Sequence, residues 1–257
     1  MNTTTKPNRI AVITGASRGI GRSHALQLAA RGVDVIITYM NGAEQAAAVV
    51  KEVEALGRRA VALRLDVGAA GTFAAFADTL RAALKDTWGR GRFDYLVNNA
   101  GGGINATLAD TTEEQFDLMI NTHLKGTFFL TQKLLPLIED GGRVINTSSG
   151  LARFTFGGYA AYASAKAGVE VLTRYMALEL GARGISVNVV APGPTATDFG
   201  GGQVRDDAAL NAQLASMTAL GRNAGADDIA GVVATLLTGD GGWITGQRIE
   251  ASGGLLL

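Results

Sequence analysis

Along the chain, short β-branched apolar runs alternate with longer stretches in which apolar residues recur three and four positions apart. Seven runs read as strands: residues 9–14, 34–38, 60–66, 95–98, 143–147, 186–191 and 247–250. Their length and near-continuous apolarity predict strands covered on both faces. Between the second and third, Ala46, Val49, Val50, Val53 and Leu56 fall on one helical face, with Glu and Lys on the other. That is the pattern of a surface helix packed on a sheet. Strand and helix patterns alternating from end to end predict a parallel sheet with crossover helices.

No Pro, Gly or Ser-rich linker divides the 257 residues and no fixed-period repeat is visible, so a single domain is expected. The loosest stretch is 192–202, with four glycines and two prolines, followed by a polar run. A mobile lid over about 192–215 is expected there, at the strand ends where α/β folds bind ligands. Residues 1–8 read as a loose tail. They are polar, include Pro7 and lack the charged and apolar regions of a signal peptide.

Composition narrows the function. Twenty-three basic side chains balance 23 acidic ones, so no long-range field favours nucleic acid or an anionic membrane. A small-molecule partner is expected. No apolar run reaches the roughly 18 residues of a membrane span, and a cytoplasmic protein is expected. With no cysteine and only His24 and His123, disulfides, thiolate nucleophiles and Cys-based metal sites are excluded. No metal site is expected.

The candidate chemistry lies in Tyr162-Ala163-Ser164-Ala165-Lys166. On a helix this spacing places phenol and ammonium on one face, Cβ atoms about 5–6 Å apart. The expectation is that the lysine lowers the phenol pKa from about 10, readying it for proton transfer near neutral pH. Tyr159 is the rival tyrosine, but four residues after it stands Ala163.

At the other end, the first strand runs into Thr14-Gly15-Ala16-Ser17-Arg18-Gly19-Ile20-Gly21. Gly15 permits a tight turn, Gly19 lets backbone approach a pyrophosphate and Gly21 allows close helix–sheet packing, with the helix N-terminus facing the anion. The glycine spacing departs from the common GxGxxG fingerprint.

Together with Ser149, thirteen positions before Tyr162, these motifs resemble the short-chain dehydrogenase/reductase family, near its 3-oxoacyl-[acyl-carrier-protein] reductases. The resemblance runs from Arg9 to Gly254. It implies a doubly wound Rossmann-like sheet of seven parallel strands, ordered 3-2-1-4-5-6-7, with helices on both faces. It implies catalytic residues Asn121, Ser149, Tyr162 and Lys166: Tyr162 exchanging the proton, Ser149 bonding the substrate oxygen, Lys166 also binding the nicotinamide ribose. Asn121 would kink its helix and hold a water on the lysine. Ser148 is the weaker serine, being one position off.

The resemblance assigns Gly15, Ser17, Arg18, Gly19, Ile20 and Gly21 to the cofactor phosphates. Asp66 and Val67 would hold adenine; Asn99, Ala100 and Gly101 would line the ribose and nicotinamide, with Asn98 mainly tying strands together. Pro192, Gly193, Thr195 and Thr197 would meet the carboxamide. At the end of strand two, where a carboxylate would bind the ribose hydroxyls of NAD, the chain reads Thr38-Tyr39-Met40-Asn41. With Tyr39 there and Arg18 in the glycine loop, NADP(H) is expected over NAD(H).

Nearness in sequence to these loops nominates Gly102, Leu151, Arg153, Phe154, Phe156, Tyr159 and Phe199 for the substrate pocket, which suits an apolar or ring-bearing ketone. Arg153 would meet an anionic tail or solvent. The implied function is NADPH-dependent ketone reduction. The alternatives are oxidation of a secondary alcohol, steroid or sugar by the same residues, and a non-catalytic dinucleotide sensor. A homotetramer is expected from the apolar terminus Leu255-Leu256-Leu257 and the broad apolar face of the helix over 162–180.

Overall fold

The computed structural model describes residues 8–257; the expected loose tail lies almost wholly outside them. Seven parallel strands, β1 (Ile10–Ile13), β2 (Asp34–Tyr39), β3 (Ala60–Arg64), β4 (Phe93–Asn98), β5 (Ile138–Thr147), β6 (Ser186–Pro192) and β7 (Arg248–Ala251), form one sheet in the order β3-β2-β1-β4-β5-β6-β7. The order and the helices on both faces are those expected.

Side-chain alternation explains the two covered faces. Ile10, Val12 and Ile36 point into one apolar cluster, while Ala11, Ile13, Val35 and Ile37 point into the other. The first cluster is closed by α3 (Phe73–Trp88), α5 (Gly126–Leu134) and α6 (Ala160–Leu180), through Phe73, Leu80, Leu84, Leu130, Leu134 and Leu180. The second is closed by α1 (Gly19–Ala29), α2 (Ala43–Ala55) and α9 (Ala226–Thr238), through Leu28, Val49, Val53, Ile229, Val233 and Leu237. Each fully buried Leu or Phe contributes about 1.5–3 kcal/mol, so both layers are needed.

Several boundaries differ from the sequence reading. Strand β3 stops at Arg64, because Asp66 turns to accept the Gly68 amide at 2.8 Å. Strand β5 begins at Ile138, five residues early, pairing with Phe93 across an irregularity between Phe93 and Tyr95. The long helix expected over 113–135 is split into α4 (Glu113–Met119), a π-helical turn (Ile120–Lys125) and α5. No described helix is long and apolar enough to cross a membrane.

Parallel strands all end at one edge, so the turns after β1, β2, β3, β4, β5 and β6 gather there. The order reverses between β1 and β4, which opens the crevice where doubly wound sheets take ligands. Over this edge lie Thr195 to Phe199 and the short helices α7 (Gln203–Asp206) and α8 (Ala208–Ser216).

Candidate active site

Tyr162 and Lys166 sit one turn apart near the start of α6, both buried at 5 % exposure. The lysine Nζ lies 5.7 Å from the phenol ring centroid and donates to the Thr147 carbonyl at 2.7 Å, at the end of β5. Ser149, two residues on, lies near enough to the Tyr162 hydroxyl to favour its ionised form. The three residues therefore meet because β5 ends where α6 begins to pack on it.

Electrostatics here differ from the expectation that lysine lowers the phenol pKa. Burial pushes the Tyr162 phenol well above its usual 10, opposed by the nearby Ser149 hydroxyl, while the neighbouring Tyr159 adds to the rise. Burial lowers Lys166 to about 7. The ammonium is directed at Thr147 rather than at the phenol oxygen, and desolvation dominates both groups. The phenol is therefore protonated at neutral pH, the state of a proton donor.

The glycine turn fits a dinucleotide. Gly15 has φ +65° and Gly19 φ +56°, conformations that favour glycine. A Cβ on Gly21 would lie 2.3 Å from the Gly15 carbonyl and 2.6 Å from Asn99 Nδ2, so only glycine lets α1 seat this closely. Above Gly19 a Cβ would meet nothing nearer than Thr197 at 3.9 Å, which leaves room for a ligand. The α1 N-terminus has no side-chain cap and no acid in its first turn, so its free amides can take phosphate. A bound nicotinamide cofactor would supply the hydride. Gly21→Ala is expected to cost about 1–3 kcal/mol from overpacking and to weaken dinucleotide binding; a thermal melt and a fluorescence titration check both.

The family model described as enoyl-(acyl carrier protein) reductase matches residues 15–256. The chain belongs to the short-chain dehydrogenase/reductase family. It is 40 % identical over 255 residues to the 3-oxoacyl-[acyl-carrier-protein] reductase FabG of Staphylococcus aureus, covering 98 % of this chain and all of that one. It is 36 % identical over 257 residues to the tetrahydroxynaphthalene reductase PfmaG of Pestalotiopsis fici, covering 96 % and 91 %. Among solved structures, the reductase LugOII superposes with TM-score 0.92 at 39 % identity, covering 98 % and 99 %. The angucycline C-6 ketoreductase LanV, with bound NADP, superposes with TM-score 0.91 at 37 % identity, covering 96 % and 95 %.

Within this family fold, several nominated residues act on the scaffold. Asn98 donates to Thr131 Oγ1 at 3.0 Å and Asn146 Oδ1 at 2.8 Å, the strand-tying role expected of it. Asn99, expected at the ribose, braces the glycine turn, its amide donating to Thr14 and Gly15 carbonyls at 3.0 and 3.3 Å. The Ala100 amide bonds Thr14 Oγ1 at 3.0 Å. Ser148 is buried, donating to Glu170 at 2.6 Å, which removes it as a rival to Ser149.

At the adenine end, Asp66 is exposed and Tyr39 half-buried at the mouth of the crevice. Arg18 is exposed, its guanidinium 3.8 Å from Asp198 of the covering segment. Thr195 Oγ1 donates to the Gly193 carbonyl at 2.9 Å, and Thr197 accepts the Phe199 amide at 3.3 Å. These hold the segment's turns.

On the substrate side, Phe199 packs on Tyr162 with ring centroids 5.5 Å apart and fills the space a side chain at Gly103 would need. Leu151, Phe154, Phe156 and Tyr159 are half-buried nearby in sequence. Arg153 is exposed, with Glu250 3.7 Å away and its guanidinium 5.2 Å over the Phe154 ring. A carboxylate from β7 already answers its charge.

Asn121, expected to kink its helix, stands where the helix does break. It falls in the π turn, half-buried, and its amide makes no hydrogen bond among the described residues. From the same turn His123 meets Tyr162, ring centroids 5.0 Å apart and planes perpendicular. The π turn is genuine, the Gly126 amide bonding the Asn121 carbonyl five residues back. Such turns gather at functional sites. The sequence signal was available in a histidine inside an apolar helical pattern, but packing of a lone histidine is the commoner meaning.

Proposed function

We propose that this protein reduces a ketone with hydride from NADPH, Tyr162 giving the proton to the developing alkoxide while Ser149 bonds the same oxygen. The observation that carries the reading is the buried, protonated phenol beside Ser149, at the crevice lined by an uncapped glycine turn. A donor already protonated at neutral pH suits reduction, where charge builds on the carbonyl oxygen. Oxidation of an alcohol would start from the phenolate, which burial disfavours.

Lys166 steadies the site from Thr147 and would reach the cofactor ribose; Arg18 would meet the 2′-phosphate. The aromatic side chains Phe199, Phe154, Phe156 and Tyr159 support a ring-bearing ketone, the class on which the LanV, LugOII and PfmaG names converge, over a plain 3-oxoacyl chain. Incubation with NADPH and either a bicyclic aromatic ketone or a 3-oxoacyl thioester tests this by loss of nicotinamide absorbance. Turnover of the ring ketone is expected. Binding of NADPH with no turnover of either would instead favour a sensor, and faster NAD-dependent alcohol oxidation would favour a dehydrogenase.

Arg18→Ala is expected to raise the NADPH KM about tenfold or more, the worth of one charge-assisted hydrogen bond, and to leave the NADH KM nearly unchanged. Initial rates with both cofactors decide it. A homotetramer is supported by exposed apolar side chains on α4, α5 and α6, including Phe116, Phe128, Phe129, Tyr175 and Leu178, and by fully exposed Trp243 near β7. Of the terminal leucines, Leu255 packs within its own chain and only Leu256 and Leu257 stay exposed. Light scattering at micromolar concentration checks this; a monomer overturns it.

A further inference from the structure

His123 is the buried ionisable group beside Tyr162 that the proposed chemistry leaves unused. Its Nε2 lies 2.7 Å from the Gly102 carbonyl oxygen. A carbonyl can only accept, so Nε2 carries the proton and Nδ1 presents a lone pair. That Nδ1 is buried and has no partner among the described residues. The ring is wedged against backbone on one side: a Cβ on Gly101 would sit 2.4 Å from Cε1 and 2.9 Å from Nδ1. On the other it stands edge-on to the phenol.

We infer that His123 is a positioning residue: its Nε2–H clamps the Gly102 carbonyl and its ring braces Tyr162, fixing the Gly101–Gly102 wall of the substrate crevice relative to the proton donor. Three observations converge on this role. The imidazole joins two segments distant in sequence, the loop after β4 and the start of α6. Gly101 leaves the space that the ring fills. The ring is held neutral, because burial, and then the charge of Lys166, lower its pKa to about 3 against the small opposing effect of Gly102. Lys166 and Tyr162, both from α6, are the ionisable groups packed near it. A neutral ring keeps one tautomer across the working pH range, so the clamp does not switch.

The inference rests on the ketone-reductase reading for its kinetic consequence and on geometry alone for its tautomer. His123→Phe keeps a ring against Tyr162 and removes the donor to Gly102. It is expected to lower kcat about ten- to a hundredfold, the scale of an ångström-sized misplacement, with NADPH affinity by fluorescence titration unchanged. His123→Asn, whose amide N–H can donate to the same carbonyl, is expected to recover much of that loss. Wild-type kcat and ketone KM in His123→Phe would overturn the inference.

A second measurement stands apart from turnover. In the wild-type protein, ¹⁵N NMR of the histidine side chains is expected to show His123 as the Nε2–H tautomer, without titration between pH 5 and 8. An Nδ1–H tautomer, or titration near the ordinary 6.5, would overturn it even if His123→Phe failed to fold. Absence of ketone turnover by the wild type, with the tautomer as expected, would sink the ketone-reductase reading and leave the clamp geometry standing.

Discussion

Tyr162→Phe is expected to lower kcat/KM for ketone reduction by about 10²–10⁴-fold, the usual contribution of a positioned general acid, while Tyr159→Phe stays within a few-fold of wild type. The variant removes one oxygen from a buried ring and keeps the ring that packs against His123 and Phe199. The fold and NADPH affinity should therefore survive, and the loss belongs to proton donation. Lys166→Ala should approach the same loss by another route. It leaves the Thr147 carbonyl without its 2.7 Å donor and opens a space beside the phenol. Initial rates with a reducible ketone, together with circular dichroism and an NADPH titration, separate these effects. Equal losses in the two tyrosine variants would refute the assignment of Tyr162.

The kinetics should also carry the sign of the electrostatics. Because burial keeps the phenol protonated, reduction should hold its rate through neutral and mildly alkaline pH. Had the ammonium dominated, the phenol would ionise nearer neutrality and reduction would fall earlier. The difference lies in where Lys166 points. Spacing of four residues puts two side chains on one helical face, but it does not say that the nearer carbonyl of Thr147 will take the ammonium.

The same limit runs through the comparison of sequence and fold. Strand order was legible because apolar runs, a glycine turn and the Tyr-x-x-x-Lys pair together resemble one family closely. The break at Asn121 was expected from the same resemblance, but its π geometry was not, because a π turn changes which residues share a face without changing the apolar pattern. His123, two residues after Asn121, meets the phenol only through the packing of this turn on α6. Likewise Arg153 reads as meeting an anionic tail or solvent, and nothing local points to Glu250, 97 positions later, which the fold brings beside it. Local spacing carried Ser149 and Lys166; the misreadings came where a partner arrived from a distant element.

Stability is expected to fall steeply on mild acidification, by about 4 kcal/mol between pH 7 and pH 5. His24 and His123 are both buried, and burial lowers each to about 3 from an ordinary 6.5, Lys166 adding to the effect at His123. The folded state therefore holds both neutral while the unfolded chain takes up a proton at each below 6.5. Stability is fully present above that pH and is lost toward pH 3. At pH 5 each histidine has contributed about 1.5 pH units, or roughly 2 kcal/mol. Other groups do not mask this window. Lys166, near 7 when folded, is mostly protonated in both states below pH 6, and Asp228, held at about 2 by Arg222, releases its contribution only at lower pH. His24 is the more telling of the pair, because neither ring nitrogen has a partner. In urea titrations at one fixed protein concentration, His24→Leu should halve the pH slope and leave the protein at least as stable at pH 5. A leucine cannot titrate, and it removes two unsatisfied buried polar atoms. Equal unfolding midpoints at pH 7 and pH 5 in the wild type would show that these imidazoles reach water after all.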